Sequence, residues 1–181
     1  IIQYTGKSRI HARPEQKWLK GYANGFIEFL RYLEGILPAR EVIGGAVRIE
    51  ERVYPLEAIK ELLANSLIHQ DMTEQGTGPK VEVFEDRIEF TNPGEPLTDW
   101  RKLFGAEPRS RNEKLAMAMR KMEFCEERGS GLRRTIEATN QAHLLPPEFI
   151  ARDKHSKVML YGVGKSFDHM NQKEKIRSCY Y

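Results

Sequence analysis

Glu57, Glu61, Asn65 and His69 recur at every fourth position of the segment PLEAIKELLANSLIHQ, residues 55–70. On a helix this spacing drifts by only about 40° per step, so the four side chains form one stripe. A polar stripe is ordinarily the wet side of an amphipathic helix, but this one combines carboxylates with an amide and an imidazole. Asn is a mediocre helix former that offers an uncharged oxygen suited to a hard cation such as Mg²⁺. A carboxylate one turn away can orient or deprotonate a water. A second set is ERGSGLRR, residues 127–134, where two glycines and a serine open a helix. Amides freed at a helix start attract anions, and Gly129 and Gly131 let a phosphate approach the backbone. The plainer reading is a connection between helices with its N-cap at Ser130. GVGKS at residues 162–166 resembles the end of a phosphate-cradling P-loop, but the first glycine of G-x-x-x-x-G-K-S falls on Met159 and no helix follows the lysine directly. The signature is therefore incomplete, and no working P-loop is expected.

These groups need elements to hold them, and the hydrophobic pattern supplies a set. Trp18, Tyr22, Phe26, Leu30 and Leu33 recur at spacings of three and four, which predicts a helix over 14–36 with an aromatic face. Residues 42–49 are strand-like, and 80–91 read as a hairpin turning at Glu85-Asp86-Arg87. Pro55 in the first turn and the apolar run Ile59, Leu62, Leu63 and Leu67 make 55–70 helical. Residues 92–110 hold Pro93, Gly94, Pro96, Gly105 and Pro108, too broken for a regular element. Helices are expected at 111–122 and 131–143, and strands near 148–152 and 157–162. This order predicts an α+β two-layer sandwich with a mixed, mostly antiparallel sheet.

Composition narrows the function classes. With 181 residues, 40% apolar and 30% charged, the chain can bury one sizeable core. No apolar run approaches the roughly 18 residues a membrane-spanning helix needs, and two lone cysteines, Cys125 and Cys179, make neither a disulfide framework nor a thiolate metal site. A cytoplasmic protein without a membrane partner is expected. The net charge of +3 is too small for a dedicated nucleic-acid coat protein, yet residues 101–134 hold ten Lys or Arg against five Glu. Such a segment steers phosphate-bearing ligands or is simply a solvated face. Asn171 and Glu174 form a capping box before Ile176, Cys179 and Tyr180, a helix that has barely begun at Tyr181. Three parts are thus expected: residues 1–12 as the end of a preceding segment, 13–163 as the domain, and 164–181 as a linker and helix start leading into a further domain.

ELLANSLIHQD, VEVFEDRIEFTNPGEPL and SRNEKLAMAMRKMEFCEERGSGLRR, in this order and spacing, resemble the ATP-binding domain on the C-terminal side of transcriptional regulators labelled RecG-related or "ATP-dependent DNA helicase RecG-like". That domain is a divergent member of the GHKL superfamily, whose α/β sandwich is the Bergerat fold. The resemblance spans about residues 14–162 and implies ATP and Mg²⁺ as ligands. It gives Asn65 the role of holding Mg²⁺ through its side-chain oxygen and Glu61 that of placing the attacking water. His69 completes an E-x-x-x-N-x-x-x-H pattern near the nucleotide. TNPG, residues 91–94, stands where the superfamily has its first glycine box, so Thr91, Asn92 and Gly94 are nucleotide-binding candidates. Gly129, Ser130 and Gly131 match the second box under the phosphates, and Arg111 and Asn112 match a segment covering the pocket.

The first glycine box of the superfamily contains an aspartate that reads adenine, whereas EFTNPG has none, with Thr91 or Asn92 the nearest polar substitute. The resemblance therefore does not extend to adenine selectivity. His69-Gln70-Asp71-Met72 replaces the usual His-Arg-Asp-Tyr, a divergence compatible with binding at low or no turnover. The resemblance also implies DNA association through a winged helix outside this chain, but no helicase core motif is present; a homodimer is one assembly considered, with the oligomeric state left open. Two functions of different class follow: a Mg²⁺-dependent ATP-binding, weakly hydrolysing module of a DNA-associated regulator, or a degenerate scaffold for dimerisation or for nucleic-acid phosphate binding through residues 101–134.

Overall fold

In the computed structural model the described residues are 1–18, 20–44, 47–97, 109–125, 130–152 and 154–162. In chain order they form β1 (Ile2–Gln3), α1 (Gly21–Ile36), β2 (Ala39–Gly44), β3 (Val47–Arg52), α2 (Leu56–His69), β4 (Lys80–Val83), β5 (Arg87–Pro93), α3 (Glu113–Lys121), α4 (Gly131–Gln141), β6 (Glu148–Arg152) and β7 (His155–Tyr161). The main sheet runs β1-β4-β5-β7-β6, with β1 parallel to β4 and every other pair antiparallel. The fold is the expected α+β class with a mixed sheet.

Alternation along the strands gives the sheet two different faces. Val81, Val83, Ile88, Phe90 and Leu160 are almost completely buried and join Ala58, Ile59, Leu62, Leu63 and Ile68 of α2 in one core. Each Val, Ile, Leu and Phe side chain among them contributes about 1.5–3 kcal/mol through burial. Phe26 of α1 stacks on Phe124 with ring centroids 4.6 Å apart, which ties α1 to the turn after α3.

The opposite face is ionic. Glu82 and Glu89, only 1% and 3% exposed, receive Arg9, and Glu89 also receives Arg87 and Lys157. Burial alone would raise the Glu82 carboxyl, but hydrogen bonds from Arg9 and Tyr4 and the nearby Lys80 ammonium outweigh it and hold it down at about 2. Burial likewise opposes ionisation of Glu89, which Lys157 and Arg87 drive below its ordinary value. A carboxyl depressed in the folded state stabilises the fold above its unfolded value near 4.5 and loses that contribution as pH falls through the folded value. Acidification from pH 5 to 2 is thus expected to cost on the order of 2 kcal/mol through Glu82, a figure reduced because Arg9 is half exposed and screened. Urea midpoints at several pH values check this, and a Glu82→Gln variant with an undiminished acid slope would refute the assignment.

Several element boundaries differ from the sequence expectation. Residues 1–12, expected at the end of a preceding segment, lie against the sheet: Ile2 and Gln3 pair with Glu82 and Val83, and Ile1 is buried. The helix expected from residue 14 begins at Gly21, and Trp18 instead meets Phe29 and Tyr32 edge-on from outside it. The single strand expected at 42–49 is a hairpin of β2 and β3, because Gly44-Gly45 is a turn signal within the apolar run. β5 continues to Pro93, so Asn92 and Pro93, expected in the irregular stretch from residue 92, belong to the strand. The GKS tripeptide and the helix expected after Asn171 lie outside the described residues.

Candidate functional site

α2 is the element around which the nominated residues gather. Pro55, with φ −62°, precedes its first turn, where Glu57 complements the helix dipole. The helix packs on β5 through one side and on α4 along another. Packing of α4 turns the middle of the expected wet stripe into an interface: Glu61 is only 9% exposed and Asn65 is half-buried, whereas Glu57 stays exposed.

Glu61 meets the first residue of α4. A Cβ built on Gly131 would overlap the Glu61 carboxylate, so only glycine allows this approach. The positive end of α4 favours the carboxylate there. Ser130 is the N-cap residue, as expected, but its side chain makes no capping hydrogen bond. One turn along α2, Asn65 Nδ2 donates to Glu61 Oε1 at 3.0 Å. A carboxylate only accepts, which fixes the orientation of the amide: its nitrogen faces Glu61 and Oδ1 is the atom left for a cation or water. Among the described residues no cluster of three or more His, Cys, Asp or Glu could hold a metal ion. Mg²⁺ does not require one, since it is commonly bound by one or two protein oxygens plus phosphates and water.

The other end of α2 is clamped by the start of α3. Arg111 donates from Nη1 to the His69 carbonyl at 3.0 Å and from Nη2 to the Glu95 carbonyl at 2.9 Å, and its Nε lies 3.9 Å from Asp71. Asn112 donates its side-chain amide to the carbonyls of Ile68 and Gln70 at 3.0 and 2.8 Å. These are the carbonyls that a helix end leaves unpaired. Arg111 and Asn112 therefore hold the last turn of α2 and the chain after β5 in place with the groups nominated for ligand contact. Asp71, absent from the nominated set, joins them by donating its amide to the Pro93 carbonyl at 2.8 Å. Gly94 adopts φ +100°, and a Cβ there would strike the Arg111 guanidinium and stand 2.9 Å from the Asp71 Cβ, so the turn needs glycine twice over.

His69 is half-buried beside this clamp. Burial, then the Arg111 charge, lower its imidazole pKa below the ordinary 6.5. The ring is thus neutral at physiological pH and offers one donor and one acceptor. Arg111→Gln is expected to raise the His69 titration midpoint while leaving it below 6.5, because the burial contribution remains. A proton NMR titration of the His69 ring reads this, and an unmoved midpoint would remove Arg111 as a cause.

The structure brings Glu61, Asn65, Ser130 and Gly131 together at the middle of α2, and His69, Gly94, Arg111 and Asn112 at its C-terminal end. Asn92 is 8% exposed and stands on the helix-facing side of β5. Thr91 is not brought to this site. Adjacent strand residues point to opposite faces, and Thr91 lines the ionic side with Arg9, Lys80 and Lys157. Gly129 lies outside the described residues, as do 101–108 and 126–128 of the basic segment.

Comparison with known proteins bears on this arrangement. Residues 76–160 match the family described as "Putative ATP-dependent DNA helicase recG C-terminal". The match runs from just before β4 almost to the end of β7 and takes in α3 and α4, while α2 precedes it. No curated protein matches the sequence. Among solved structures, the DIP2311 protein from Corynebacterium diphtheriae superposes with a TM-score of 0.72 at 18% identity, over 90% of this chain and 34% of that one. That likeness establishes the shared fold, and the chain spans 34% of the length of that protein. None of the described helices is long and apolar enough to cross a membrane.

Proposed function

We propose, from the match of residues 76–160 to the family described as "Putative ATP-dependent DNA helicase recG C-terminal", that the junction of α2 with α4 binds Mg²⁺-ATP. The observation that carries the reading is the meeting of Glu61, Asn65 and Gly131: a carboxylate, an amide oxygen facing away from it, and a helix start bare of side chains. Phosphates bind at the α4 N-terminus, where amides and the helix dipole favour anions. They then share that end with the Glu61 carboxylate. Two like charges about 4 Å apart repel by roughly 1–4 kcal/mol near a protein surface, so a cation between them is needed. Asn65 Oδ1 is the protein oxygen that would hold Mg²⁺, which when bound would neutralise phosphate charge.

Glu61, anchored by the Asn65 amide, orients a water toward the terminal phosphate. Turnover is low, since this carboxylate is buried against α4 and His69 is neutral and held at the far end of the helix. The domain serves as a nucleotide-responsive module of a larger, DNA-associated regulator, with DNA contacted by a winged helix outside this sequence.

A thermal-shift series with ATP, ADP and GTP, each with and without Mg²⁺, tests the reading. At a hundred times its Kd, Mg²⁺-ATP adds about 2.7 kcal/mol, which for a domain of this size raises Tm by roughly 5–10 °C. An equal shift without Mg²⁺, or none with any nucleotide, would overturn it.

A further inference from the structure

A cleft of about 450 Å³ opens on the ionic face of the sheet, on the side away from α2. Arg9, Lys80, Arg152 and Lys157 stand in its wall against one carboxylate, Glu82. Strand register puts them on one face: Thr91 pairs with Lys80 on one side and Lys157 on the other, and Arg152 pairs with His155. Beneath them, the buried Glu82 and Glu89 hold Arg9 at 2.8 and 2.6 Å, and Glu89 also holds Lys157. Arg9, Lys80 and Lys157 are thereby ordered before any ligand arrives, which removes part of the entropy cost of binding. The Thr91 hydroxyl, buried in the cleft wall, has no hydrogen-bond partner among the described residues. Buried hydroxyls are ordinarily satisfied, so this one marks a place where a polar group fits.

We propose that this cleft is a second anion site, separate from the α2–α4 junction, that takes a phosphate-bearing ligand. Arg meets phosphate oxygens in a bidentate fork, Lys acts as a point charge, and a threonine hydroxyl donates a neutral hydrogen bond. The volume lies within the range of small-molecule pockets. The phosphate arrives either on a free small molecule or on a nucleic-acid backbone.

The test titrates the full chain with pyrophosphate by calorimetry in Mg²⁺-free buffer, then adds a short DNA duplex as competitor. Pyrophosphate binding that falls about tenfold or more in Arg152→Glu, and is unchanged in Asn65→Ala, is the expected result. Arg152 is exposed, so its charge reversal spares the fold. Thr91→Val, which removes only the unpaired hydroxyl, should keep or raise Tm while weakening pyrophosphate severalfold. Displacement by the duplex identifies backbone phosphate as the source, and retention identifies a free phosphate compound. Affinity unaltered by Arg152→Glu in a folded variant, affinity lost in Asn65→Ala, or no binding of either probe would each overturn the proposal.

Discussion

Gly131→Val is expected to abolish Mg²⁺-ATP binding and to destabilise the domain by about 3 kcal/mol. Any Cβ at this position falls inside the Glu61 carboxylate, and both residues are buried where α2 packs on α4. The carboxylate must leave the helix start, or the helices must separate, and either change deforms the proposed phosphate site. Intrinsic propensity predicts the opposite sign, because replacing glycine within a helix is favourable by up to about 1 kcal/mol. A measured loss therefore reports the steric conflict. Urea unfolding gives the stability, circular dichroism verifies that the variant is folded, and calorimetry gives the affinity. The conflict should vanish when its partner is removed: Gly131→Ala destabilises the parent but becomes neutral in a Glu61→Ala background, a coupling of the kind seen between touching residues. Additive effects in that cycle would show that Glu61 does not stand on Gly131 in solution.

Asn65→Ala should weaken Mg²⁺-ATP binding by about a hundredfold or more, equivalent to at least about 2.7 kcal/mol, with stability within about 1 kcal/mol of the parent. Alanine deletes the oxygen assigned to the metal together with the hydrogen bond to Glu61. Losing one such bond costs about 1 kcal/mol, and the better helix propensity of alanine offsets roughly half of that. Binding and stability thus separate in this variant, unlike in Gly131→Val. Calorimetry with Mg²⁺-ATP beside a denaturation curve measures both, and retention of parental affinity would remove Asn65 from the site.

Local periodicity made much of this molecule legible. The four-residue spacing of Glu61, Asn65 and His69 aligned them on one helix side, and a carboxylate-amide contact one turn apart follows from helix geometry alone. Period-two alternation around a short turn identified the hairpin of β4 and β5. The same alternation would have separated Thr91 from Asn92, since neighbours in a strand cannot share a face. That inference was open to the sequence once the strand was seen to run past Thr91. Gly44-Gly45 likewise signalled a turn inside residues 42–49.

Other features have no local signature. β1 is two residues long, too short for any period, and joins β4 in parallel across most of eighty residues of chain. Arg111 and Asn112 are spent on carbonyls of Ile68, His69 and Gln70, and backbone acceptors carry no residue-type signal to betray such a clamp. Glu61 and Gly131 meet only because α4 docks on α2. The sequence by itself determined which helix carries the nominated polar residues and on which side of it they stand, because that follows from backbone geometry within a few residues. Tertiary structure alone decided that Glu61 in the middle of the stripe is buried, that the glycine opening α4 lies on its carboxylate, and that the cations of β4, β6 and β7 converge with Arg9 on the far face. Those juxtapositions come from the packing of apolar faces distant in sequence, which no local spacing encodes.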